Sequence, residues 1–255
     1  MRNLITLLFV IITSIAYSQS IVNTEKALTT VDDKLHLNYN LSGNSIKGNV
    51  DINQLNTDLH IGIRLDTIHV FRAIAGISIL QQNKKLVNNV GFVQARYNRI
   101  LNERFRTFSF YQLQYNSILL LERRQLTGYG IRIDLEKDSS NFRYAFLIGA
   151  MYEQEILDET QLMPNEIVET NFLRTATSFS FKYDIKKVHI ISTTYYQAHM
   201  SNFKDFRILN DTEINVKLND HFSVFNVFEY RYDSKPPNML NTYDFTNSVG
   251  LSIKI

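Results

Sequence analysis

The chain contains no cysteine. That excludes disulfides, thiolate metal sites and lipidation at a cysteine. Proline is scarce, with three residues among 255, and glycine numbers only nine. Neither supports a Pro- or Gly-rich linker, so a single folded domain is expected. Beyond the N-terminus no stretch is apolar for the roughly 20 residues a transmembrane helix needs. Charge of either sign is not in excess, the formal net charge being +2. This argues against nucleic acid as a partner, which normally leaves a basic patch.

What is present begins at the two ends. Arg2, an apolar run over residues 4–12 and the sequence Ala16-Tyr17-Ser18 have the layout of a secretory signal peptide. The run is too short for a retained helical anchor. Residues 1–18 are therefore expected to be removed, and residues 19–33, which lack alternation, to form a short periplasmic tail. At the other end, Tyr243, Phe245, Val249, Leu251, Ile253 and Ile255 share one parity with Asn247. Asp244, Thr246, Ser248, Gly250, Ser252 and Lys254 hold the other. A strand sends alternate side chains to opposite faces, so this segment has one apolar and one polar face.

Similar alternation recurs along the chain. It predicts twelve strands, near 35–46, 52–65, 68–80, 88–100, 104–120, 123–135, 142–155, 168–183, 188–199, 204–218, 222–233 and 242–255. Short turns are expected near Asp66-Thr67, Asn102-Glu103, residues 137–140, residues 185–187 and Asn219-Asp220. Longer links are expected at 81–87, 156–167 and 234–241, and a weakly marked one near Leu121-Glu122. An even strand number with short turns at one end and longer loops at the other is the plan of an outer-membrane barrel. The expected fold is thus all-β: a closed antiparallel up-and-down transmembrane β-barrel of about twelve strands over residues 34–255. Abundant Tyr and Phe, 14 and 17 residues, suit aromatic girdles at the two membrane interfaces. The competing reading is a secreted soluble β-sandwich or lipocalin-like barrel with its charges outside. The terminal strand and the strand number weigh against it.

The polar parity is rich in charge. Arg96, Arg124, Arg132, Arg143, Arg174, Arg207 and Arg231 are expected to face inward, with Glu153, Glu155, Asp211, Glu213 and Glu229. One reading is mutual neutralisation, arginine forks bridging carboxylates and closing the lumen. The other is a charged constriction that selects ions. Gly128 and Gly130 fall on the inward parity of the sixth strand, leaving space for a bulky neighbour. Asp233, Ser234, Lys235, Pro236 and Pro237 stand where the eleventh strand meets a loop. Two consecutive prolines end a strand, and Asp233 can cap the turn. The motif reads either as a loop anchor tied to a lumen ion pair or as a rim site for a small polar or anionic ligand.

Catalytic patterns are sparse. The histidines at 36, 60, 69, 189, 199 and 221 form no close metal-ligand pair. His199 and Ser201 lie near one loop, but no nucleophile motif accompanies them. No enzyme activity, metal or cofactor is expected.

Several segments resemble a known family. They are Tyr230-Arg231-Tyr232-Asp233-Ser234-Lys235-Pro236-Pro237, Arg123-Arg124 with Gly128, Gly130 and Arg132, Phe203-Lys204-Asp205-Phe206-Arg207-Ile208-Leu209, and the Gly48-Asn49 turn. From about Leu35 to Ile255 the chain resembles the domain-of-unknown-function 481 family, some members of which are called salt-induced outer-membrane proteins. It departs from the usual barrel ending in closing on Ile255 rather than an aromatic residue. The resemblance implies a membrane barrel in the outer membrane of a Gram-negative bacterium and no established reaction or ligand. The expected role is a non-catalytic envelope protein, with a link to osmotic or salt stress. The alternative is a narrow passive channel for ions or small polar solutes, and a less favoured one is a lipid-acting barrel enzyme. Expected partners are outer-membrane lipid and, during insertion, the barrel-assembly machinery; the ligand is left open.

Overall fold

A computed structural model describes residues 34–47, 51–135, 141–219, 222–238 and 240–253. The expected signal peptide, the periplasmic tail, the Gly48-Asn49 turn and the turn at 137–140 lie outside these residues. The described residues form thirteen strands. They are β1 Leu35–Ile46, β2 Ile52–Arg64, β3 His69–Gln82, β4 Lys85–Ile100, β5 Phe105–Asn116, β6 Leu121–Asp134, β7 Phe142–Leu157, β8 Glu169–Thr175, β9 Thr177–Ile185, β10 Val188–His199, β11 Asn202–Lys217, β12 Phe222–Asp233 and β13 Tyr243–Ile253. β8 and β9 are two halves of one stave. β7 pairs with β8 from Ala150 to Ile156 and with β9 from Phe142 to Leu147. At the break between them, the Ala176 N–H donates to the Gly149 carbonyl at 2.8 Å. Twelve staves result, each antiparallel to the one before it.

The fold is the all-β, antiparallel, up-and-down barrel architecture that the alternation predicts. β1 pairs with β2 and β13 with β12; a ladder joining β1 to β13 is not among the pairings of the described residues. Two links differ from expectation. The third is not long: β3 and β4 meet in a two-residue turn at Asn83 and Lys84, with φ of 49° and 64°. Paired positive φ values match the strand twist, and Asn is well suited to the first position. The fifth link falls before Leu121. Asn116 Oδ1 accepts from the Ile118 and Leu119 N–H groups at 3.0 and 3.2 Å, which turns the chain four residues earlier. Asp66, Asn102 and Asn219 act similarly at the other end. Each accepts from the N–H two or three residues on, at 2.7–2.9 Å.

The sheet is inside out relative to a soluble protein. On β3, Arg72, Ile74 and Ser78 are buried while Phe71 and Ile77 are exposed. On β6, Arg124 and Leu126 are buried while Tyr129 and Ile131 are exposed. Outward aromatic clusters lie toward both ends. Phe142 packs on Tyr183 with ring centroids 4.3 Å apart, and Phe71 on Tyr97 at 4.9 Å, near the short turns. Tyr196, Phe206 and Tyr232 stack in series at 5.8 and 5.6 Å near the loops. Such belts suit the two interfaces of a bilayer, and the apolar outer face between them suits hydrocarbon. From β1 through β13 the ladders pair the backbone between neighbouring staves, which is how a sheet shields its polar main chain from hydrocarbon.

Two glycines set how closely β6 and β7 approach. Gly130 and Gly149 are register partners. A Cβ on Gly130 would stand 2.5 Å from the Ile148 carbonyl oxygen and 2.7 Å from the Gly149 Cα, both backbone atoms. Phe108 and Phe110 of β5 lay their rings over Gly130 and Gly128, filling the space those glycines leave. Gly130→Val is expected to push the two strands apart and destabilise the barrel by roughly 1–3 kcal/mol, the usual cost of overpacking. Urea unfolding followed by heat-modifiable gel mobility reads this; an unchanged midpoint would show that the close approach is not required.

Candidate functional site at the loop end of the lumen

Strand parity and register bring most of the charged residues together. On β7, Glu153 and Glu155 are two apart and so face inward together; both are buried. Arg124 of β6 is the register partner of Glu155, and Arg207 of β11 that of Asp233 on β12. These neighbours bond directly. Arg124 Nε donates to Glu155 Oε2 at 2.7 Å, and its Nη2 reaches the same oxygen. Arg207 Nε donates to Asp233 Oδ2 at 2.7 Å.

Further bonds join staves that are not neighbours as well as staves that are. Arg207 Nη1 donates to Glu153 Oε2 at 2.8 Å and Nη2 to Glu155 Oε2 at 3.3 Å, tying β11 to β7. Arg174 of β8 donates through Nε to Glu153 Oε1 at 2.9 Å and through Nη1 to Asp205 Oδ1 at 2.8 Å. Glu153, 1% exposed, therefore sits between Arg174 and Arg207, with Arg124 Nε 3.7 Å away. Arg231 lies 2.8 Å from Asp211 and 3.7 Å from Glu229. Below this girdle the inward side chains Phe108, Phe110, Leu126, Leu147, Met151, Tyr195 and Leu209, with Ala176, form one apolar cluster.

Above the girdle lies a cavity of about 530 Å³. Its walls include Arg124, Arg174, Arg207 and Arg231 together with Asp233, Lys235, Pro236 and Pro237. The rim motif and four of the inward arginines thus meet at one place. Asp233 has two tasks: Oδ2 takes Arg207, and Oδ1 accepts from the Lys235 N–H at 2.9 Å to cap the turn. Ser234 Oγ accepts from the Phe206 N–H at 2.8 Å, pinning the motif to β11. The two long loops are also joined, since Glu166 Oε1 accepts from the Asn238 N–H at 2.7 Å.

The other expected residues lie apart from the cavity. Arg132 is 2.9 Å from Asp134, which also meets Arg106 at 3.2 Å. Arg143 lies 2.7 Å from Asp184, which holds Lys182 and His189 as well. Arg96 is buried, with its guanidinium carbon 4.8 Å over the Phe108 ring and Nε donating to Asn98 Oδ1 at 3.2 Å. Glu213 is half-buried on the inward parity of β11. Sequence reasoning missed Asp205 as a lumen partner, although it shares parity with Arg207. It also missed Arg64, Arg72 and Arg106, because the early strands carry apolar residues on both parities. The His199 ring packs against Phe172, with ring centroids 4.4 Å apart. Among the described residues no His, Asp and Glu cluster is arranged to hold a metal.

Two outcomes follow from this geometry. Glu153→Gln removes the charge from beneath Arg174 and Arg207 and is expected to cost roughly 3–5 kcal/mol, as breaking a buried pair does. Arg106→Gln, at a pair 31% and 18% exposed, is expected to cost under about 1 kcal/mol. Equal shifts in urea midpoint would contradict a buried hub. In the 158–168 loop, Asp158 accepts from the Thr160 hydroxyl at 2.6 Å and from the Thr160 N–H and Gln161 amide. Those bonds, Thr160 first, hold its carboxyl below the usual aspartate range. The loop is thus fully braced above that ordinary range and loosens as pH falls through the lowered value. Limited proteolysis of the loop is expected to accelerate only under acid, and in Asp158→Ala already at neutral pH; a loop equally resistant in both proteins would refute the brace.

A family model described as "Protein of unknown function, DUF481" matches residues 24–255. No curated protein matches the chain. Among solved structures, the chain is similar to the NanC porin at 11% identity and a TM-score of 0.49, covering 87% of this chain and 99% of that one. It is similar to the translocator domain of the autotransporter NalP from Neisseria meningitidis at 10% identity and a TM-score of 0.46, covering 91% and 92%. It is also similar to a bacterial polysaccharide outer membrane secretin at 12% identity and a TM-score of 0.47, covering 85% and 79%.

Proposed function

The chain belongs to the DUF481 family, and on that footing we propose that it is a non-catalytic β-barrel of a Gram-negative outer membrane whose lumen is closed by its own side chains. The observation that carries this reading is the stack inside the barrel. The Arg174–Glu153–Arg207 girdle ties β7 and β8 to β11, and the apolar cluster containing Phe108, Leu126, Met151 and Tyr195 lies beneath it. Ions crossing the lumen would have to break a network whose members are paired and largely dry. The outward apolar face supports burial in lipid, and the longer loops support an outward-facing loop end. The cavity then opens to the exterior as a blind recess. A tie to osmotic or salt stress is suggested by the family resemblance alone; it predicts a growth defect of a deletion strain at high salt, and normal growth there would remove it.

Refolded protein in a planar bilayer is expected to give no steady conductance while heat-modifiable mobility shows it folded. Resolved conductance steps from the same preparation would overturn the closed reading and make the barrel a narrow channel. Arg207 would then be the first residue to vary for ion selectivity.

A further inference from the structure

At the short-turn end of the lumen, β2 to β5 carry Arg64, Arg72, Arg96 and Arg106 on their inward parity. Arg72 and Arg96 are register partners on adjacent strands, each 7% exposed. Like charges directly opposed across a ladder repel. Two of these neighbours have company. Arg96 bonds Asn98 and lies over Phe108, and Arg106 shares Asp134 with Arg132. Arg72 is different. Among the described residues its side chain makes no hydrogen bond or ion pair, and its Nε is buried without a partner, as is the Nε of Arg64. Arg64, Arg96 and Arg106 all lie within electrostatic reach of it. A buried guanidinium among other guanidiniums is strongly unfavourable unless a counter-charge joins it.

We propose that Arg72, with Arg64 and Arg96 beside it, forms a binding site for a small free oxyanion of the phosphate class inside the short-turn end of the lumen. The planar forks of arginine match tetrahedral oxyanions, and their donors remain unused at Arg72. The three side chains face inward, away from the apolar outer wall, so the phosphate of a surrounding lipid does not reach them. The site is separate from the loop-end cavity and does not depend on whether the lumen conducts.

The test is urea unfolding of the refolded full chain in a non-ionic detergent, in sodium phosphate against sodium chloride at equal ionic strength. In the wild type the midpoint is expected to rise with phosphate and to saturate. Arg72→Met is expected to lose the phosphate-specific rise while unfolding at or above the wild-type midpoint in chloride, because an unpaired buried charge has been removed. Arg72→Lys keeps the charge but loses the fork. It is expected to need on the order of tenfold more phosphate for half-saturation, and it carries the test if the Met variant does not fold. Indistinguishable wild-type midpoints in phosphate and chloride would overturn the site. So would an undiminished rise in the variants, or a rise seen with anionic phospholipid in the micelle but not with inorganic phosphate.

Discussion

A barrel wall in hydrocarbon has to turn its polar side chains inward, and the rest of this structure follows from how they are accommodated there. Hydrocarbon offers no partner for a charge or an open N–H. The outer parity is accordingly apolar and aromatic. The inner parity collects arginines and carboxylates at a density that would be untenable in a dry core unless each found a partner. At the loop end they do. Glu153 takes two arginines, Arg207 takes three carboxylates, and Asp233 divides its oxygens between the lumen and the turn.

The two ends of the lumen differ in charge character. Near the loops, Arg124, Arg174, Arg207 and Arg231 face Glu153, Glu155, Asp205, Asp211, Glu229 and Asp233, and the network holds together walls that are not sequence neighbours. Near the short turns the arginines of β2 to β5 outrun their bonded partners, and Arg72 has none among the described residues. Between these regions sits the apolar cluster of β5 to β11. Replacing any one charged member at the loop end exposes its partners to the full cost of burial, so the girdle acts as a unit rather than as separate pairs.

Most of the fold was legible in the sequence. β6, β11 and β13 separate apolar from charged parities cleanly, and those strands were placed within a few residues, whereas the single strand expected over 168–183 is broken at Ala176 into β8 and β9. The Gly128 and Gly130 spaces were legible too, as was the double use of Asp233. The third and fifth links were less so. Asn83-Lys84 and Asn116 are local turn formers, but flanking polar residues blurred where the strands stopped. Arg72 escaped notice for a related reason. Val70, Ile74, Phe71 and Ile77 put apolar residues on both faces of β3, and no parity then identifies the inner one.

Side-chain alternation has a period of two and is set by the backbone, so in strands with one charged parity, such as β6 and β11, the sequence by itself determined which residues face outward and which face the lumen. It also determined the up-and-down order, since short polar turns leave successive strands no other neighbour. What it could not determine was which inward charge meets which. Arg207 and Glu153 are 54 residues apart and on non-adjacent staves. They meet because the sheet curls around a shared interior, and that curl, with the length of an arginine side chain, was decided only by the tertiary structure.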